Sequence, residues 1–185
     1  MFLGNIGKAQ NCDQMIKAVN ILSNRNDIAL HFVGDGSEKE NLEKLVDKLG
    51  IKEKVYFHGR HPLSEVINFY DFADVCILAL TSNTITGVTP PGKLYGYMAA
   101  GRCVIGALEG AGKRLIEQSD CGICVKPDSI EELAKAIRWA ADNKRLIIEK
   151  GIHGRQYFMS HMTLKEYISQ LMTTQQWTTL DIFMA

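Results

Sequence analysis

The sequence predicts a doubly wound, parallel α/β sheet, and three observations predict it. Short β-rich runs alternate with amphipathic helical runs along most of the chain. The run from Val75 to Leu80 is apolar almost throughout, as a strand covered on both faces must be. Glycine-rich segments such as Gly34-Asp35-Gly36 stand where strands should give way to helices.

The elements follow in order. Phe2 and Leu3 alone precede Gly4, too little for a whole first strand, so the chain is expected to begin inside a larger architecture. Residues 28–33 read as a strand, closed by the tight turn Gly34-Asp35-Gly36. Ser37, with Glu40 three residues later, predicts a capping box opening a helix over 37–49, and Leu42, Leu45, Val46 and Leu49 give that helix its apolar stripe. Residues 55–58 form a strand, and Pro62 to Phe72 a short helix with Pro62 in its first turn. After the strand 75–80 comes a long loop, 81–92, then a helix over 93–100 that Gly101 ends. Strand 103–108, helix 111–118 and strand 122–125 continue the alternation. Ser129, with Glu132 at capping-box spacing, opens a helix over 130–142; residues 144–159 and 163–172 are also helical, and the tail from Gln175 is weakly patterned. We therefore expect one sheet domain over 1–160 and a C-terminal helix and tail over 161–185.

Composition narrows the function. The 185 residues carry 21 Lys plus Arg against 21 Asp plus Glu. This balance argues against a nucleic-acid partner, which needs a basic surface to displace phosphate counterions. No apolar run reaches the ~18–20 residues that span a bilayer, and no basic leader precedes an apolar core at the N-terminus. Five cysteines, at 12, 76, 103, 121 and 124, fit a reducing, cytoplasmic setting better than a disulfide framework. The pair Cys121 and Cys124 runs into a strand rather than opening a helix, so it reads as buried thiols rather than a redox pair. His58 and His61 lack companions at metal-ligand spacing, and no metal site is expected.

In an open parallel sheet, ligands bind beyond the carboxyl ends of the strands. The loops there are Gly4 to Lys8, Gly34 to Gly36, His58 to His61, Thr81 to Lys93 and Glu109 to Lys113. The segment Gly87 to Leu94 approaches the GxxxxGK[ST] phosphate loop, but Leu94 replaces the magnesium-binding hydroxyl and Pro90 and Pro91 lack N–H groups, which argues against an ATPase. A glycine-flanked loop feeding a helix whose first turn carries Lys93 remains an anion site. Lys8, Arg60 and Lys93 occupy three such loops, and together they are expected to converge on one cleft and offset the charge of a diphosphate.

These motifs, in this order, make the chain resemble the C-terminal, donor-binding domain of family 4 glycosyltransferases, whose GT-B fold faces two Rossmann-like domains. The resemblance covers roughly residues 1–160. It rests on Gly4-Asn5-Ile6-Gly7-Lys8, Phe32 to Gly36, Val55 to Arg60, Tyr70 to Val75, the dense stretch Pro91 to Gly106, Leu115 to Glu117 and Cys121 to Val125. It implies transfer of a sugar from a nucleotide-diphosphate sugar to a glycan or lipid-linked acceptor, with retention and without metal or other cofactor. By position, Lys8, Lys93 and Gly7 would contact the diphosphate; Arg60 and Gly59 would lie near the base; Gly87, Val88, Thr89 and Tyr95 would line the rest of the donor site.

Two departures stand out. Many members carry two Glu eight positions apart, the second on the ribose hydroxyls, where this chain has Val88 and Gly96. The family's N-terminal domain, with the acceptor site and the catalytic residues, has no counterpart here. The resemblance thus implies an N-terminal Rossmann-like domain or partner chain, with any membrane association arising through that partner or the acceptor. The alternative is a non-catalytic nucleotide-sugar-binding or assembly module. A third reading is a ligand-free sheet domain that associates through Trp177, Leu180, Ile182, Phe183 and Met184.

Overall fold

The computed structural model describes residues 1–82 and 89–162. Its parallel strands are β1 (Phe2–Leu3), β2 (Leu30–Val33), β3 (Val55–Gly59), β4 (Val75–Ala79), β5 (Cys103–Ala107) and β6 (Gly122–Val125). They form two ladders, β1-β2-β3 and β4-β5-β6. Met1 joins them: its carbonyl accepts from Ile77 N–H at 2.8 Å, and its ammonium donates to the Val75 carbonyl at 2.7 Å. The spatial order is therefore 3-2-1-4-5-6, with the switch of direction between β1 and β4, where doubly wound sheets bind their ligands.

Seven helices are described: α1 (Cys12–Ile21), α2 (Lys39–Leu49), α3 (Leu63–Phe72), α4 (Gly92–Ala99), α5 (Ala111–Gln118), α6 (Ile130–Asp142) and α7 (Lys144–His161). Two apolar clusters cover the two sheet faces. In the first, Met15, Ile16 and Val19 of α1 meet Phe2, Leu30, Phe32, Val55 and Ile105, with Leu133 and Ile137 of α6. In the second, Leu94, Tyr97 and Met98 of α4 meet Cys76, Leu78 and Val104, with Ile116 of α5 and the rings of Tyr157 and Phe158 on α7. Coverage of both faces explains the apolar run of β4.

The local expectations hold with three differences. The sequence reading named no element between the first glycine loop and residue 28, yet α1 forms there and buries Cys12, Met15, Ile16 and Val19. That spacing is the helical stripe that the reading passed over. Second, α2 starts at Lys39 and Ser37 does not cap it. Tertiary structure takes its first turn instead: Glu38 N–H donates to the Ile6 carbonyl at 3.1 Å, tying this turn to the β1 loop. Third, α3 starts at Leu63, so Pro62 stands at its N-cap and not in its first turn. Pro62 holds that position in extended geometry, and His61 Nδ1 pairs with the Glu65 carboxylate at 2.8 Å.

Ser129 caps α6, its hydroxyl accepting from Glu132 N–H at 3.4 Å. Only half of the predicted box forms, because the Glu132 carboxylate accepts from Lys126 N–H instead. Ser129→Ala is expected to cost about 1 kcal/mol, read as a lower urea midpoint with an unchanged slope. The cysteines are free thiols. Cys121 lies fully buried at the start of β6, and burial pushes the Cys124 thiol up to about 12, which makes it inert at neutral pH.

The boundary expected at 160 falls in the last turn of α7. The predicted helix 163–172 and the apolar tail lie outside the described residues. Among the described residues, no helix is long and apolar enough to cross a membrane.

Candidate functional site

The crevice at the switch point is built by one phenol. The hydrogen-bonding groups of Met1 face β4 and are used there. Those of Leu3, two residues on, face the same side, but β4 does not take them. Tyr97 Oη accepts from Leu3 N–H and donates to the Leu3 carbonyl, both at 3.2 Å. Tyr97 is fully buried, and burial holds its pKa far above the ordinary value, so the phenol stays protonated. It satisfies the strand edge that would otherwise zip onto β4 and holds β1 and β4 apart at their carboxyl ends.

Lys93 lies in that gap. It is four residues before Tyr97 on the same face of α4. Its Nζ stands 4.1 Å from the centroid of the Phe2 ring and 3.2 Å from where a Cβ on Gly4 would be. Nζ is buried and has no hydrogen-bond partner among the described residues. Desolvation lowers its pKa from the ordinary 10.5 to about 8, against a smaller opposing pull from Cys12. At pH 7 this is a buried, largely unpaired cation, which folding alone does not favour. Pro90 and Pro91 precede it without N–H groups, so Gly92 and Lys93 supply the first N–H groups of α4. Charge and helix end thus aim at one point.

Around this point the loops are tied to one another. Gly34 sits at φ +137°, and a Cβ there would overlap the Gly4 carbonyl oxygen, so only glycine lets β2 end this close to β1. Ile6 N–H donates to the Asp35 carbonyl at 2.9 Å. Asn11 Nδ2 donates to Gln14 Oε1 at 2.8 Å and to Asp128 Oδ1 at 2.7 Å. Asp128 Oδ2 accepts from Ser82 N–H at 3.1 Å. One carboxylate after β6 therefore latches the loops after β1 and β4. Gln14, buried at 2 % exposure, leaves Nε2 without a partner among the described residues, a second orphaned donor beside the latch. Asp128→Ala is expected to cost about 1 kcal/mol and Asp128→Asn less, by chemical denaturation; no loss in either variant would show that the bonds to Asn11 and Ser82 carry no stability.

The expected site residues divide as follows. Lys8, Arg60 and Lys93 all stand at the carboxyl end of the sheet. Lys8 is exposed and opens a short 3-10 turn, Lys8–Gln10. Gly7 is buried beside it, with its N–H already given to Gln10 Oε1 at 3.2 Å. Arg60 is largely exposed after β3 and lies 3.7 Å from the Asp35 carboxylate, which orients it toward the β1–β2 loops. Gly59, at φ +74°, turns the chain out of β3. Thr89 is exposed ahead of Pro90. Tyr95 is two residues from Lys93, about 200° around the helix, and its ring packs against the second apolar cluster; the fold does not bring it to Lys93. Gly87 and Val88 lie outside the described residues. Lys113 is paired with Glu109 at 3.2 Å.

The histidines have other partners. His58 Nε2 lies 2.9 Å from His31 Nδ1, their rings stacked, and burial with the neighbouring ring lowers the His31 pKa to about 4. Among the described residues, no group of three or more His, Cys, Asp or Glu could hold a metal. The sequence reading missed Tyr97 as the builder of the crevice and Asp128 as its latch. Asp128 and Asn11 are 117 residues apart, and no local pattern joins them. Tyr97 was visible only as one letter of a motif.

Residues 1–157 match the family described as Glycosyl transferases group 1. The chain is 26 % identical over 145 residues to the putative colanic acid biosynthesis glycosyl transferase WcaI of Escherichia coli, covering 76 % of this chain and 34 % of that protein. It spans two fifths or less of the curated relatives it matches. Among solved structures, it superposes on the C-terminal domain of the group 1 protein LpcC of Francisella tularensis with TM-score 0.75 at 18 % identity, over 88 % of this chain and 85 % of that one. Anabaena HepE in complex with UDP gives TM-score 0.74 at 17 % identity, over 94 % of this chain and 49 % of that one.

Proposed function

The chain belongs to the Glycosyl transferases group 1 family, and from that premise we propose that it is the donor-binding half of a retaining, family 4 type transferase. Residues 1–160 form the nucleotide-sugar-binding unit, and an N-terminal Rossmann-like domain or partner chain supplies the acceptor site and the catalytic residues. The observation that carries this reading is the buried, unpartnered ammonium of Lys93 at the switch-point crevice. A fold keeps such a charge dry when a ligand's opposite charge meets it there.

The chemistry follows from the placement. Breaking the bond between the anomeric carbon and the β-phosphate oxygen leaves negative charge on the departing diphosphate. Lys93 and the N–H groups of Gly92 and Lys93 offset that charge in a site already shaped for it. Lys8 extends the same role from the β1 loop, whereas Gly7 has already given its N–H to Gln10. Arg60, with Gly59, lies toward the base, and Gly87, Val88 and Thr89 border the donor. The UDP bound by HepE makes a uridine donor the first to try, and the name of WcaI, a putative colanic acid biosynthesis glycosyl transferase, supports a glycan or lipid-linked acceptor.

Calorimetric titration of the full chain with UDP, GDP and ADP tests the reading. One diphosphate is expected to bind, and Lys93→Ala to weaken it about 100-fold. Absence of binding to the folded chain would overturn it. The second reading, binding without turnover, is favoured by Gly96, where many relatives have Glu. It predicts the same titration but no sugar transfer when an N-terminal partner domain is added.

A further inference from the structure

The position of Gly96 has a physical occupant. Gly96 is three residues after Lys93 and shares its face of α4, about 4.5 Å further along the axis. A Cβ built there would lie 2.9 Å from Tyr70 Oη and 3.8 Å from Cζ. Tyr70, on α3, thus reaches across to α4 and places its hydroxyl where a side chain at 96 would begin. Its ring meets Tyr97 edge-on, with centroids 6.1 Å apart. The two phenols differ in one respect: Tyr97 spends its hydroxyl on Leu3, whereas the Tyr70 hydroxyl has no hydrogen-bond partner among the described residues. A half-buried phenol whose hydroxyl is not spent within the described residues has donor and acceptor capacity to offer a ligand.

We propose that Tyr70 Oη reads a sugar hydroxyl of the bound nucleotide donor, standing in for the side chain that Gly96 lacks. The proposal rests on the donor-site reading above. A phosphate held at Lys93 has a sugar ring attached on each side, the ribose on one and the transferred sugar on the other, so a hydroxyl of one ring falls one helical turn from Lys93. The phenol recognises that hydroxyl as donor, acceptor or both. Burial lifts the Tyr70 pKa to about 12, so it keeps its proton over the working range. Gly96 is then a requirement: any Cβ there pushes the phenol out of place.

The test compares the full chain with Tyr70→Phe, which removes one oxygen and keeps the ring contact with Tyr97. Three ligands are titrated: the tightest binder of UDP, GDP and ADP, its 2′,3′-dideoxy form, and its diphosphoglucose form. If the ribose is read, the unsubstituted chain loses about tenfold on going to the dideoxy form. Tyr70→Phe then loses about tenfold on the parent diphosphate and no longer distinguishes the two. If the transferred sugar is read, Tyr70→Phe weakens only the glucose form. Equal affinities of variant and unsubstituted chain for all three ligands would overturn the proposal. So would a loss of the same size on all three, the mark of a merely structural role. Lys93→Ala weakening the diphosphate in the same series keeps the phosphate site standing in either case, whereas no diphosphate binding at all overturns both readings.

A second variant guards against a folding defect. Gly96→Ala is expected to weaken the same ligand that Tyr70→Phe weakens, and by a similar factor. In the Tyr70→Phe background it should cost nothing more, because the remaining ring carbon sits at ordinary contact distance.

Discussion

Lys93→Met is expected to make the domain more stable and nearly unable to bind a diphosphate. The side chain keeps nearly its length, sets an apolar end over the Phe2 ring where the ammonium stood, and loses the buried charge that has no hydrogen-bond partner among the described residues. Relief of that desolvation is worth about 1–3 kcal/mol, seen as a higher urea midpoint and melting temperature. Diphosphate affinity should fall about 100-fold in the same variant. Gain of stability with loss of binding is the pattern of a residue retained for a ligand rather than for the fold. A lower melting temperature would show that the ammonium is satisfied in solution.

The same residue sets a pH dependence. Its pKa is near 8 in the folded chain and about 10.4 when unfolded. Below pH 8 the lysine is charged in both states and the burial penalty is fully felt. Between about 8 and 10.4 the unfolded state binds more protons, so this residue's contribution makes stability rise with pH, by about 3 kcal/mol over the window. Affinity runs the other way: a phosphate needs the charged amine, so binding weakens above pH 8. Urea titrations at pH 7, 9 and 10 on the unsubstituted chain and Lys93→Met should differ in slope against pH. Parallel slopes would exclude Lys93 as the titrating group.

Tyr97→Phe is expected to cost about 2–4 kcal/mol, since it strips the N–H and the carbonyl of Leu3 of their partner at once. The ring and its packing remain, so the loss belongs to the two hydrogen bonds. Diphosphate affinity should fall as well, because β1 carries Phe2 and leads into Gly4, the floor beneath Lys93. A variant as stable as the parent in urea would mean that water takes over the Leu3 groups.

Much of this was legible in the sequence. Period-2 and period-3.6 patterns depend on neighbours along the chain, so β4, α4 and the Ser129 cap could be read locally. The glycine loops and Lys93 could be placed at the ligand end because parallel sheets put every strand's carboxyl end on one side. The capping box at Ser37 failed for the complementary reason: Glu38 N–H finds the Ile6 carbonyl, a partner 32 residues away in the sequence. The missing Glu at 96 could be seen as a gap; what fills the gap could not.

The sequence by itself determined the α/β alternation, the burial of both sheet faces and the chemical type proposed for the site: glycine loops, a helix end and a lysine suited to an anion. Each follows from residue type and spacing. The tertiary structure decided which groups are left without partners: the Leu3 edge taken by Tyr97, the ammonium of Lys93 left dry, the hydroxyl of Tyr70 laid against Gly96. Such decisions depend on which distant segments meet. A hydrogen bond is satisfied or withheld by geometry at about 3 Å, a scale on which one chain's order carries no information until it has folded.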